Sequence, residues 1–408
     1  MSKKKPNVPD EDLLSTIDAS LSVAFGNLRR SVQKNLSILT VAFLNVLGAA
    51  RSGNGKLSLG ALYRVLPTEG TPHAREKRLH RFLNNRLLDP RGVTDGLVRL
   101  IFGRRGHGLW PVLFDQTKSG STQAILAGVP FEGRVLPLSV YTFEYPWKEK
   151  TAESQNQLEH VFLLDIESSL PKNVRAVFIG DRGYARAMLL KQSEREGRLY
   201  VIRGRASTRI EYQGKSIKLG QLLYSAGRAT RYCNVLYQAK ERVAVDVIAF
   251  HDPAFKEPWW LLVPAGTQAI LSSDTVVALY RERMQVEHGF RDFKTHLGLR
   301  GLKLKVRLAE RTGRLLLAFC IAYCMALALG VSGEARLARR DLEILRRTPR
   351  HGTRRTLSIL SIAMQMLSHP RWRALAVCRL RSIAIRLSHG RPALHHPPPQ
   401  VHQIEKAA

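Results

Sequence analysis

The sequence predicts an α/β protein: a mixed core of strands and helices, interrupted by a mostly β insertion and flanked by helical N- and C-terminal regions. Three observations predict it. Apolar residues recur at helical spacing towards both ends of the chain, short β-rich runs separated by turns fill Leu109 to Tyr141, and apolar and polar residues alternate from Tyr200 to Pro264. At 408 residues the chain exceeds what one hydrophobic core usually organises. The expected parts are a helical N-terminal region over 1–105, a core over 106–199 and 265–330, the β insertion over 200–264, and an Arg-rich helical C-terminal region with a flexible tail over 331–408.

Helical periodicity covers Leu13 to Leu47, and a Gly-rich break at Ser52 to Gly55 precedes a shorter helix around Leu57 to Leu66. Pro67, Gly70 and Pro72 punctuate the chain before Ala74 to Asn85. There Leu79, Phe82 and Leu83 form an apolar stripe beside Arg75, Lys77, Arg78 and Arg81, which makes either a DNA-facing helix or a solvated basic face. Strands follow over Leu109–Phe114, Ala124–Val129 and Val135–Tyr141, then a polar helical stretch from Ala152 to Leu164 and a strand over Ala176–Ile179. Strand, strand, strand, helix, strand is the order of a ribonuclease-H-like core, an associational argument until chemistry supports it. Helical spacing resumes after Ser273 and persists to Gly330.

Lys and Arg number 64 against 33 Asp and Glu, giving a formal charge of +31. Such an excess calls for a polyanionic partner, and nucleic acid leads because each phosphate neutralised releases condensed counterions. Membrane surfaces and the ribosome are the competitors. The four cysteines have neither disulfide density nor zinc spacing, which fits a reducing cytoplasm, and Cys320 and Cys324 fall in an apolar run where helical packing explains them. The Lys3-Lys4-Lys5 cluster leads into polar residues rather than the apolar stretch of a secretory signal. Leu315 to Leu329 is short for a membrane span and reads as a buried helix.

Asp115 follows Val112-Leu113-Phe114, and Asp181 follows Val177-Phe178-Ile179-Gly180, so each carboxylate is expected where a buried strand meets solvent. Neighbouring carboxylates repel, and a divalent cation with oxygen preference relieves the repulsion. Either Asp alone also serves as a turn or cap residue. In the segment Tyr280 to Lys294, advancing about 100° per residue puts Tyr280, Arg283, Glu287 and Lys294 within an arc of roughly 60°, with Arg291 beside them. Leu279, Val286, Phe290 and Phe293 make a separate apolar stripe that docks the helix. The spacing from Arg283 to Glu287 also permits an ion-pair ladder on a solvated face. Chemistry favours a metal-binding Glu287 among cations that hold a DNA phosphate.

The pattern Tyr280-x2-Arg283-x3-Glu287-x6-Lys294 resembles the Y-R-E-K signature of bacterial insertion-sequence transposases of the insertion sequence four family. Phe114-Asp115-Gln116-Thr117 resembles the family's first aspartate block, and Ile179-Gly180-Asp181-Arg182-Gly183-Tyr184 its second. The stretch from Arg314 to Gly330 resembles the helix after the signature. The long gap between Asp181 and Glu287 suits the β insertion that the family places there.

The resemblance implies a DDE transposase that cleaves transposon ends and transfers the 3′ ends into target DNA, the cut-and-paste reaction. It implies two Mg²⁺ ions, with Mn²⁺ as substitute, held by Asp115, Asp181 and Glu287, Asp115 bridging both. Tyr280, Arg283, Arg291 and Lys294 are then DNA-holding residues. Trp260, with Trp259 beside it, is a candidate for stacking a flipped base, although a tryptophan in an apolar β run more often serves the core; Trp147 is a weaker candidate. Terminal inverted repeats and target DNA are the expected partners, in a synaptic homodimer within the bacterial cytoplasm, at the nucleoid. Two alternatives share these residues: a metal-dependent nuclease that cuts without joining, and a domesticated DNA-binding protein without catalysis.

Overall fold

The computed structural model describes residues 11–50, 58–103, 108–119, 122–144, 154–238, 240–292, 308–350 and 353–389. The chain opens with helices α1 (Glu11–Ala24), α2 (Arg30–Ala50), α3 (Leu59–Arg64), α4 (Pro72–Leu83) and α5 (Pro90–Phe102). Strands β1 (Gly108–Ser119), β2 (Thr122–Phe131) and β3 (Arg134–Glu144) follow, then α6 (Gln155–Ser169), β4 (Val174–Gly180) and α7 (Ala187–Arg195). Next come β5 (Leu199–Arg203), β6 (Arg209–Tyr212), β7 (Lys215–Lys218), β8 (Thr230–Tyr237), β9 (Val243–Phe250) and β10 (Trp259–Pro264). The described remainder is helical: α8 (Ser273–Glu282), α9 (Met284–Arg291), α10 (Ala309–Gly330), α11 (Gly333–Leu342), α12 (Ile359–Ser368) and α13 (Pro370–His389).

The protein is mixed α/β, with one mostly antiparallel sheet of ten strands in the order β3-β2-β1-β4-β5-β10-β9-β8-β6-β7. Two compact units divide the chain. The first holds α1 to α5, Phe114–Arg175 and the described chain from Gln285 onward; the second holds Leu109–Leu113 and Ala176–Met284. These units cut across the four segments expected from the sequence, because residues 265–284 join the insertion strands while the terminal helices join the first strands.

In the first unit β2 and β3 form a hairpin with Phe131 opposite Arg134, so Glu132 and Gly133 alone make the turn. Both have positive φ, 49° and 74°, as the tight turn matching strand twist requires. The register shifts between Ala127 and Gly128, and a Cβ on Gly128 would lie 2.3 Å from the Leu136 carbonyl oxygen. Helix α10 packs on β3, α2, α12 and α13. It is buried along almost its whole length, Cys320 and Cys324 included, so the apolar run is a core helix. By length and apolar character α2 and α10 could cross a bilayer, yet most of each is buried within the protein. Helix α5 was not anticipated: the Asp89 carboxylate caps it by accepting from the Arg91 and Gly92 N–H groups, and Pro90 supplies its first turn.

In the second unit β4 and β5 run parallel, with Val177 opposite Leu199 and Gly180 opposite Ile202. Strand β10 pairs antiparallel with β5 and with β9. A buried ion pair, Arg231 to Asp246 at 2.7 Å, sits where the β8–β9 register shifts, and the same carboxylate accepts from the Asn234 N–H.

One expectation is corrected. The helix predicted to run unbroken from Ser273 does not: α8 ends at Glu282, Arg283 closes a turn by donating its N–H to the Tyr280 carbonyl, and α9 begins at Met284. Each half is held by its own unit. Arg281 pairs with Asp252 at 2.9 Å and the Tyr280 ring packs on Trp259, whereas His288 contacts the Gly133 carbonyl and Asp292 pairs with Arg134. Tertiary anchors at both ends outweigh helical continuity at Arg283, so the arc computed across it does not apply.

Candidate active site

Asp181 emerges directly from the end of β4, whose interior residues Val177, Phe178 and Ile179 are buried. Its carboxylate accepts from the Gly183 N–H at 2.7 Å, and its carbonyl accepts from the Tyr184 N–H. A Cβ on Gly183 would stand 3.0 Å from that same carboxylate oxygen, so glycine leaves the acid room. The residue is half-buried, reachable by solvent yet oriented by its own turn.

Tyr280, at the end of α8, belongs to the same unit and lies within electrostatic range of Asp181. Its ring meets Trp259 edge-on at 5.0 Å, and the Arg283 guanidinium stands over it at 5.9 Å. Burial pushes the phenol above its ordinary value; Arg283 and Arg203 pull it back, Asp181 adds to the rise, and Arg203 hydrogen-bonds the phenol. Arg203 also donates to Glu257 at 2.8 Å and to the Pro258 carbonyl, and Glu257 takes Arg182 at 3.3 Å. The second unit thus gathers Asp181, Tyr280, Arg283 and Arg203. Arg203 and Glu257 had no sequence signal beyond their type, because strand pairing rather than spacing brings them there.

In the first unit, Asp115 departs from expectation. It lies inside β1, which continues to Ser119, rather than at a strand end. The ladder carries the strand past its apolar run, with buried Thr117 inside it. Asp115 is half-buried and its carboxylate accepts from the Gln116 N–H at 2.7 Å. Glu287 is exposed in the first turn of α9, where the helix dipole favours a carboxylate. Arg291 is exposed at the other end of α9.

Helix α9 is seated by groups that sequence reading did not single out. Asp292 is 1% exposed, accepts from Arg134 at 2.6 Å and takes the Tyr323 hydroxyl at 2.9 Å. His288 approaches the Gly133 carbonyl at 3.2 Å, and Val286 is fully buried. A lone tyrosine in the apolar run of α10 was the available signal for Tyr323.

Trp260, expected to contact DNA, is 7% exposed; its indole N–H points to the Leu222 carbonyl and Tyr224 packs edge-on against it. Its burial is that of a core residue in the central strand β10, which corrects the expectation of a surface contact. Lys294 and Trp147 lie outside the described residues. Among the described residues no three His, Cys, Asp or Glu side chains form a group able to hold a metal ion. As individual donors the carboxylates present the hard oxygen atoms that a divalent cation such as Mg²⁺ prefers.

Residues 148–325 match the transposase DDE domain. The stretch is a little under half of the chain; it contains Asp181, Tyr280, Arg283 and Glu287 and excludes Asp115. No curated protein matches the chain. The match supports a DDE transposase, an enzyme that acts on DNA, and DDE domains generally use divalent metal ions.

Proposed function

We propose that the chain is a cut-and-paste DNA transposase of the insertion sequence four type, cleaving the ends of its element and joining the freed 3′ ends to target DNA. The observation that carries this reading is the grouping of Asp181 with Tyr280 and Arg283 within the stretch that matches the transposase DDE domain. The strand order β3-β2-β1-β4-β5, with α6 between β3 and β4, supports a ribonuclease-H-like core.

In this reading Asp115, Asp181 and Glu287 hold divalent metal, Mg²⁺ by oxygen preference and Mn²⁺ as a substitute. The metal, when bound, supplies Lewis-acid charge at the scissile phosphate. The backbone N–H of Gly183 fixes the direction of the Asp181 carboxylate. Tyr280 stays a neutral phenol at neutral pH; its oxygen accepts from Arg203, which leaves the phenolic proton to donate to a phosphate oxygen. The Arg283 guanidinium supplies paired N–H donors matched to phosphate geometry. Arg291 and Lys294 complete the grip on the strand. Trp260 is left to the core. Because two element ends must be handled together, the working form on DNA is a homodimer, acting at the bacterial nucleoid.

The test uses DNA bearing the repeats that flank the coding region. Asp115→Ala, Asp181→Ala and Glu287→Ala should each bind this DNA as the wild type does and fail to cut it in Mg²⁺. A variant that still cuts is removed from the catalytic set.

A further inference from the structure

The C-terminal region is rich in arginine, and the structure divides these arginines into two kinds. One kind is structural. Arg339 pairs with Glu343 at 2.8 Å, Arg371 with Asp341 at 3.0 Å and Arg379 with Glu334 at 2.8 Å, while Arg373 donates to the Leu367 carbonyl and to Asn45. Those three acids are the last in the sequence before Glu405.

The second kind sits on a finger between α11 and α12 whose two arms are fastened together. Glu343, with a side chain 2% exposed, accepts from the Thr356 and Leu357 N–H groups, both at 2.7 Å. The Arg346 N–H donates to the Arg354 carbonyl at 2.8 Å, its guanidinium to the Arg355 carbonyl at 2.6 Å, and the Thr356 hydroxyl to the Ile344 carbonyl at 2.8 Å. Arg350 and Thr353 exchange backbone hydrogen bonds further out. On this frame Arg347, Arg350, Arg354 and Arg355 are exposed, and among the described residues no carboxylate pairs with them. Ile344 is 86% exposed at the base, apolar area that water does not favour.

A fastened frame that presents four exposed guanidinium groups, with no carboxylate paired to them among the described residues, suits a polyanion. We propose that this finger is a second DNA-binding element, gripping the phosphate backbone of duplex DNA independently of the Asp181, Tyr280 and Arg283 grouping. The choice of DNA as the polyanion rests on the transposase reading. The finger reads no bases; it adds affinity and salt sensitivity.

The experiment measures binding of the full chain to random-sequence duplex DNA across a salt series. One variant carries Arg347→Gln, Arg350→Gln, Arg354→Gln and Arg355→Gln; a control loses the same charge elsewhere through Arg195→Gln, Arg209→Gln, Lys215→Gln and Lys218→Gln. Each phosphate contact contributes about 0.9 to the slope of log affinity against log salt, so the fourfold finger variant should lose up to about 3.6 from the slope. Its Kd should rise at least about tenfold at low salt, and the control far less. The single substitutions Arg347→Gln and Arg355→Gln should each remove about 1 from the slope, which keeps the question answerable if the fourfold variant folds poorly. A finger variant that behaves like the control overturns the finger alone. A wild-type chain that binds no duplex DNA overturns the finger and the transposase reading together.

Discussion

Tyr280 combines two roles that substitution separates. Its ring packs on Trp259 at 5.0 Å within a site 4% exposed, while its hydroxyl meets Arg203. Tyr280→Phe keeps the packing, so stability to urea should fall by about 1 kcal/mol, the worth of a net hydrogen bond, while cleavage of element ends drops. Tyr280→Ala should cost about 3 kcal/mol or more through the cavity it leaves. If Tyr280→Phe cuts as well as wild type, the hydroxyl holds no phosphate. The sign with pH also follows: burial raises the phenol above its ordinary value, so its neutral form contributes in full below the usual tyrosine range and is lost only as pH rises past the folded value. Asp181 was legible as a strand-end acid because β4 ends where its apolar run ends. Arg203 was not, since its place depends on β10 pairing with β5, whereas the core role of Trp260 was already open to a tryptophan in an apolar β run.

At the scale of elements, the clearest tests concern what seats α9 and what fastens the C-terminal finger. Asp292→Ala strands a nearly buried Arg134 guanidinium and the Tyr323 hydroxyl. Breaking such a pair from one side costs about 3–5 kcal/mol, readable as a shifted urea midpoint; a shift under about 1 kcal/mol would show that the ion pair does not hold the helix. For Glu343, burial opposes the charged form, but the Leu357 N–H, Arg339 and the Thr356 N–H outweigh it and hold the carboxyl below its usual range. A depressed folded value stabilises above the ordinary carboxylate range and fades as pH falls through that folded value. Hydrogen exchange at the Thr356 and Leu357 amides, corrected for intrinsic rates, should therefore accelerate on acidification, and Glu343→Gln should show fast exchange already at neutral pH. The hairpin of β2 and β3 was readable because alternation and the Glu132-Gly133 turn are local signals. The break at Arg283 was not, because its causes, Trp259 and Asp252 on one side and Gly133 and Arg134 on the other, are distant in sequence. Helix α5 left a local sign, Asp89-Pro90, that periodicity alone does not weigh.

For the whole molecule, the charge of +31 predicts DNA affinity that weakens steeply with salt, and in the proposed role the exposed finger arginines concentrate part of that sensitivity in one place. Charge cannot establish chemistry, which rests on the carboxylates and the match to the transposase DDE domain. The measurement that tests the central claim most directly is strand transfer: purified full-length protein, Mg²⁺, plasmid, and a duplex ending in the flanking repeat with a free 3′-hydroxyl. The account predicts covalent joining of that end to the plasmid by the wild type and none by Glu287→Ala, with both proteins binding the duplex. Cutting without joining, or joining that survives Glu287→Ala, would contradict it.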